Sequence, residues 1–280
     1  MPRSRGRARG MGLDSITLNP VGIVKSQITE RNSMPTTGIQ AQIIIFSEFS
    51  AALERIDEYS HLWILTWLHQ ASRNTTTVAP VKVNPLSRKF GVFAIRSPAR
   101  PNPIALTLVK LDRIQGNTLY VTGLDAVNES PVIDIKPYFD HDVVFSPRTP
   151  HIAPLKPDLL MKNLLSQAIT HHGEICSDLL IAVRMAFIAD NRLESTKSPN
   201  VKVHVSGSPC LADTLQGLCR ARLANPSRFA YNPLGERKQS VWTSGSKRLT
   251  LICLQELDIE NFCSLSDQEI FNITLEENKT

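Results

Sequence analysis

Gly91-Val92-Phe93-Ala94-Ile95-Arg96-Ser97-Pro98-Ala99-Arg100-Pro101-Asn102-Pro103 is followed by an alternating run over 106–114, the triplet Gln115-Gly116-Asn117, and a second alternating run over 118–124. Two alternating runs joined by a Gly-Asn turn read as a β-hairpin, because glycine and asparagine supply the positive φ that a tight turn needs. The hairpin is entered from a stiff loop. Apolar, strand-like residues 91–95 run into Pro98, Pro101 and Pro103, each of which fixes φ near about −65° and pushes its predecessor toward extended geometry. Arg96 and Arg100 stand on that loop, where a rigid backbone spares part of the ordering entropy lost on gripping an anion. The segment alone fits an anion grip or a proline-rich turn with two solvated arginines.

Outward from the hairpin the signals remain strand-like. Residues 131–138 read as a third strand, with Asp134 and Lys136 two positions apart and therefore on one face. Upstream, 16–24 and 41–46 read as strands, Ser47 caps a helix to about 56, and 61–70 is a central strand ending in His69-Gln70. Residues 72–89 are polar and proline-containing, a long mobile connection of the kind that forms lids. Six or more short strands with one short helix between 16 and 145 suit a small β-barrel or sandwich better than βαβ units.

Four prolines over 145–157 mark a boundary. The expected organisation is a basic tail over 1–12, a barrel domain over 13–146, a linker over 147–157 and an α+β domain over 158–280. In the last of these, 158–169, 174–189 and 210–223 have helical apolar spacing, 201–205 and 248–254 alternate as strands, and the acidic stretch from Glu256 reads as peripheral.

The chain has 280 residues, 42% of them hydrophobic, enough for a sizeable core, and no apolar run long enough for a membrane helix or a secretory signal. An intracellular, cytoplasmic protein is expected. A net charge of +5 and a pI near 9.0 favour a polyanionic partner. Five scattered cysteines show neither a CxxC pair nor a histidine at zinc-ligand spacing, so buried thiols are expected and no metal. Between 200 and 250 eight basic residues face only Asp213 and Glu236. That excess suits an RNA-phosphate face with Tyr231 and Trp242 for stacking, and equally a solvated basic surface.

Residues 91–103, Gly123-Leu124-Asp125, 131–138 and 61–65 with His69-Gln70, in that arrangement over about 18–145, resemble the TrmO (YaeB, TsaA-like) family. The resemblance implies a mainly β fold with a small barrel, followed by an α+β domain. It also implies an S-adenosylmethionine-dependent methyltransferase acting on N6 of threonylcarbamoyladenosine beside the tRNA anticodon. Residue by residue it places Pro35, Thr36, Thr37, His69, Gln70, Arg96, Leu106, Gly123, Leu124, Asp125 and Ala126 around the methyl donor. tRNA is the expected partner, and a second copy of the chain is expected to complete the site. The chain departs from the family at Thr37, Ile95, Ala105 and Glu129-Ser130, where the family carries Gln, Thr, Gly and Gly-Thr. Residues 225–231 and Val241-Trp242 resemble the C-terminal domain of bacterial members.

An adenine amino group is a poor nucleophile, and a carboxylate accepting its hydrogen would sharpen it. Asp134 is the candidate, with Lys136 holding its charge and Tyr138 packing on or bonding the base; a structural Asp134–Lys136 pair inside the barrel is the alternative. Arg100, Arg220, Arg222, Arg228, Tyr231, Lys247 and Arg248 are the expected RNA contacts. A non-catalytic donor-binding or RNA-binding module, or a methyltransferase of the same fold acting on another substrate, is the alternative function.

Overall fold

In the computed structural model, which describes residues 16–150 and 152–277, the alternating runs of the first half close on themselves. The expected basic tail lies outside the described residues. The elements in chain order are β1 (Gly22–Lys25), β2 (Ile39–Ile45), β3 (His61–Trp67), β4 (Thr77–Val78), β5 (Phe90–Gly91), β6 (Ile104–Gln115), β7 (Thr118–Leu124) and β8 (Pro131–Pro137). There follow α1 (Pro157–His172), α2 (Ser177–Arg192), β9 (Lys202–Ser206), α3 (Pro209–Cys219), β10 (Phe229–Asn232), β11 (Gln239–Ser244), β12 (Lys247–Cys253), α4 (Asp267–Ile270) and β13 (Phe271–Glu277).

The barrel has six strands in the order β1-β2-β7-β6-β3-β8, and each pair, including the closing β8–β1 pair, is antiparallel. Closure removes the unpaired edges that an open sheet would expose. Val24, Ile43, Leu62, Ile64, Val109, Leu119, Val121 and Val132 fill the interior, nearly all of them fully buried. Each contributes about 1.5–3 kcal/mol of transfer free energy. The β6–β7 hairpin turns on Gly116 (φ 57°) and Asn117, with Gln115 paired to Thr118, as its alternation predicts.

Three local expectations change. The helix expected over 47–56 is a pair of 3-10 segments, Ser47–Leu53 and Ile56–Glu58, interrupted at Arg55, whose φ of 65° no right-handed helix allows; Ser47 makes no side-chain cap. β3 is buried on its inner face only, because Trp63, Leu65 and Trp67 point to the barrel's outer wall. The run 91–95 is strand only at Gly91 and then turns.

Residues 16–76 with 92–140 form one compact unit, and 77–91 with the described residues from 141 onward form another. The division falls ahead of the boundary expected after 146. Residues 77–91 are not a structureless connection: β4 pairs with β5, Leu155 N donates to Val83 O, and Asn84 Nδ2 donates to Ala153 O. Those bonds assign the excursion to the second unit.

In that second unit the sheet order is β10-β9-β11-β12-β13, antiparallel except for the β10–β9 pair. α2 is buried along most of its length, and α1 and α3 pack against it over a core that includes fully buried Trp242 and Leu251. Leu257, Phe262, Ile270 and Phe271 belong to this core, so the C-terminal stretch is integral and not peripheral. The acidic residues that suggested otherwise occupy its outward positions. No described helix is long and apolar enough to cross a membrane.

Candidate active site

β2, β6 and β8 begin, and β1, β3 and β7 end, at the same rim of the barrel. Loops that are distant in sequence therefore meet there. The turn 35–38 lies backbone against backbone on β7: a Cβ on Gly38 would come within 2.3 Å of Gly123 O, and both glycines have positive φ. The end of β3 is tied to the β1–β2 loop by Gln70, whose Oε1 accepts from Arg31 N at 3.3 Å and whose Nε2 donates to Thr29 O at 2.8 Å. His69 Nδ1 lies 3.5 Å from Ser130 Oγ. Leu68 N donates to Pro103 O at 2.7 Å, bringing the proline loop to the same end.

The rim thus collects Pro35, Thr36, Thr37, His69, Gln70, Gly123, Leu124, Asp125 and Ala126. Pro35, Thr36, Thr37, His69, Gln70 and Asp125 are exposed there, whereas Leu124 and Ala126 are buried and shape it from beneath. Asp125 accepts a hydrogen bond from the buried Thr107 hydroxyl, which fixes one carboxylate oxygen. One turn of chain inside the rim, the Thr66 hydroxyl is fully buried with no hydrogen-bond partner among the described residues. Such an orphan is uncommon in a settled core and belongs more naturally beside a ligand or water.

The two loop arginines play different parts. Arg100 donates from Nε to Ser97 O at 2.7 Å and from Nη2 to Val92 O at 2.9 Å and Ile95 O at 2.6 Å. Its guanidinium staples the loop from within, which leaves it poorly placed for RNA phosphate. Arg96 is exposed on the stapled loop, and among the described residues nothing pairs with it.

Outside the barrel, Leu106 of β6 pairs with Leu65 of β3, which pairs with Asp134 of β8. The three make one cross-strand row on the outer wall, with Leu106 and Asp134 about 10 Å apart across two strand spacings. A bulge at Leu65/Thr66 lets Val132 and Ile135 both face inward while Asp134 and Lys136 face out. The Asp134–Lys136 pair, 2.8 Å long with Asp134 44% and Lys136 63% exposed, is consequently on the outside and not inside the barrel. Asp134 Oδ1 also accepts from Ile135 N at 2.9 Å. Tyr138 is not brought to the rim: its ring packs against His61, the first residue of β3, roughly 20 Å of strand from the rim, and against Trp63. Leu106 (47% exposed) and Leu108 (37%) with Trp63 and Trp67 make the outer wall apolar. Sequence alternation flagged these residues as strand without showing that their face is open.

The expected RNA contacts of the second unit are not gathered into one free basic face. Arg228 is buried and donates to Ser198 O, Val201 O and Arg220 O, a core staple and not a phosphate contact. Lys247 and Arg248 stand opposite Glu277 and Glu276 across the β12–β13 pair, which offsets their charge. Lys238 is held by Asp178 at 2.7 Å and by Glu256. Tyr231 donates its hydroxyl to Gly207 O, and the Arg220 guanidinium lies 5.7 Å from the Phe145 ring. Arg222 is exposed. Of the cysteines, Cys219 is buried, Cys263 exposed, and Cys176 and Cys210 meet at the helix ends described below.

The family described as "tRNA-methyltransferase O N-terminal domain" matches residues 23–142, which is the barrel. A protein of Archaeoglobus fulgidus named "Probable S-adenosyl-L-methionine-binding protein" is 31% identical over 268 residues, covering 92% of this chain and 72% of its own. The chain belongs to the TrmO family. A second A. fulgidus protein, named "S-adenosyl-L-methionine-binding protein", is 40% identical over 125 residues, 43% of this chain and 88% of that one. The Homo sapiens "tRNA (adenine(37)-N6)-methyltransferase" is 33% identical over 135 residues, 44% of this chain and 30% of the human protein. The family match takes in every strand of the barrel, together with the 77–91 excursion.

Proposed function

We propose that the protein is an S-adenosylmethionine-dependent tRNA methyltransferase that modifies N6 of the adenosine next to the anticodon, in its threonylcarbamoylated form. The observation that carries the proposal is the barrel rim, where residues from loops far apart in sequence converge and to which the internally stapled loop that carries exposed Arg96 is joined at Pro103. Relatives named for the same donor and for the same reaction support it.

The rim's donor set fits the methyl donor. Exposed Arg96 suits the methionine carboxylate. Asp125, with one oxygen fixed by Thr107, offers the other to a ribose hydroxyl or the amino group. Leu106 offers an apolar face to adenine. The bound donor supplies an electrophilic sulfonium methyl, whose transfer depends mainly on alignment. The chain's own contribution is therefore positioning and acceptance of a proton. Asp134, half-exposed in the same row as Leu106, accepts a hydrogen of the target amino group, localises its lone pair and takes the proton away. Lys136 holds the carboxylate in place at 2.8 Å. The half-exposed Trp63 and Trp67 beside this row offer ring faces for the splayed base. Tyr138 supports Trp63 from behind and takes no direct part.

Incubation with donor labelled in its methyl group and with tRNA bearing or lacking threonylcarbamoyladenosine tests this reading. The expected outcome is label in the modified tRNA, abolished by Asp134→Ala while donor affinity stays intact. Donor binding with no transfer to either tRNA would assign the protein to the binding-module alternative.

A further inference from the structure

The second unit holds a cluster that the methyl-transfer reading does not use. His172 ends α1, Gly173 (φ 89°) turns the chain, and Cys176 is the N-cap of α2. Cys210 is the second residue of α3. The ligand atoms of His172, Cys176 and Cys210 all lie within 4.8 Å of one another, and all three side chains are partly exposed. His172 Nδ1 lies 2.8 Å from Asp213 Oδ2, and Asp213 Oδ1 is 3.3 Å from His171 Nε2. The carboxylate is thereby steadied from two sides. With its Nδ1 hydrogen donated to Asp213, His172 turns the lone pair of Nε2 toward the sulfurs, 3.6 Å from Cys176 Sγ. A carboxylate orienting one imidazole nitrogen so that the other faces two thiols is the outer-shell arrangement of metal-binding histidines.

The spacing agrees with a metal. Tetrahedral zinc bonded at about 2.3 Å to sulfur and about 2.05 Å to nitrogen holds those two atoms about 3.6 Å apart. Thiolate and imidazole together select zinc over magnesium or calcium. We propose that His172, Cys176 and Cys210 bind one zinc ion, with Asp213 as the positioning carboxylate and a water in the fourth place. The ion ties the C-terminus of α1 to the N-termini of α2 and α3. On binding, the thiols give up their protons to solvent, and no bond within the chain is made or broken. Three helix ends, 38 positions apart at the extremes of the cluster, explain why the chain shows no compact zinc motif.

The test uses the full-length protein, reduced, stripped with a chelator and titrated anaerobically with cobalt(II) as a zinc surrogate. The expected result is a thiolate-to-cobalt charge-transfer band with tetrahedral visible absorption, saturating near about one equivalent and abolished by added zinc. Cys176→Ser and Cys210→Ser lose the charge-transfer intensity, while Cys263→Ser, exposed and outside the cluster, keeps it. Asp213→Asn leaves the band but weakens affinity by about 10- to 100-fold, a change that altered folding alone would not give with unchanged circular dichroism. Absence of the band in the reduced wild-type protein overturns the proposal, as does its persistence in Cys210→Ser. A Cys176–Cys210 disulfide on oxidation, with no metal uptake after reduction, would also overturn it and assign the pair to thiol redox chemistry.

Discussion

Replacing Arg100 by alanine should weaken methyl-donor binding although Arg100 never touches the donor. Its guanidinium makes three charge-assisted bonds to backbone carbonyls, at 2.6, 2.7 and 2.9 Å, and these hold the loop on which Arg96 stands. A well-buried bond to a charged donor contributes about 1.5–3 kcal/mol, so the three would sum to roughly 4.5–9 kcal/mol if fully buried and additive. The carbonyls are partly buried, and water reaches them once the side chain is gone. If water recovers about two thirds of that sum, about 1.5–3 kcal/mol remains, which lowers the equilibrium constant for the ordered loop by roughly 10- to 150-fold. Calorimetric titration with S-adenosylmethionine should show an affinity reduced by that factor. Arg100→Lys, able to keep one such bond, should fall in between. The alternative role, a direct tRNA contact, predicts something else: unchanged donor affinity and a salt dependence of tRNA binding shallower by about one phosphate. That pattern would refute the staple.

Other consequences follow from packing and charge. Gly38→Ala should lose about 1–3 kcal/mol of stability in urea denaturation and also lower donor affinity, because its Cβ meets Gly123 O at 2.3 Å with φ at 70° and pushes the 35–37 turn off β7. Ile64→Ala empties a fully buried site in the barrel interior and should cost about 2–5 kcal/mol by the same assay. Glu256 should stabilise the second unit only above its folded titration. Its bonds from Lys238 and Ser177 lower the carboxyl from the usual 4.5, so the stabilisation is present above that value and lost as pH falls through the lowered one. Glu256 itself is largely exposed, so Glu256→Gln should cost at most about 1 kcal/mol near neutrality, and the difference should vanish as pH falls through the lowered titration.

The barrel was legible because its signals are local. Alternation over 106–124 with Gly116-Asn117 between reports strand, turn and pairing partner within one stretch, and the β6–β7 register follows it. The rim was legible through motif resemblance, since residues 35–37, 69–70 and 123–126 carry no local pattern that would bring them together. Sequence could not tell which charges were already occupied. Arg100 and Arg228 differ from exposed arginines only in the carbonyls that surround them after folding, and Lys247 and Arg248 only in facing β13. Inside and outside of the barrel were equally hidden for Asp134 and Lys136. Alternation places both on one face but a bulge decides which. β10 and β13 were missed because β10 is short and β13, exposed over its last four residues and ending in Glu276 and Glu277, shows little apolar alternation. The His172, Cys176 and Cys210 cluster is tertiary in the same sense, assembled from three helix ends.

The most direct test is a crystal structure of the protein with S-adenosylmethionine bound. The account predicts the sulfonium at the barrel rim, its carboxylate on Arg96, its polar groups against residues 123–126 and its methyl turned toward the outer-wall row of Leu106, Leu65 and Asp134. Ligand lodged in the second unit, or on the barrel's opposite end beside His61 and Tyr138, would contradict it.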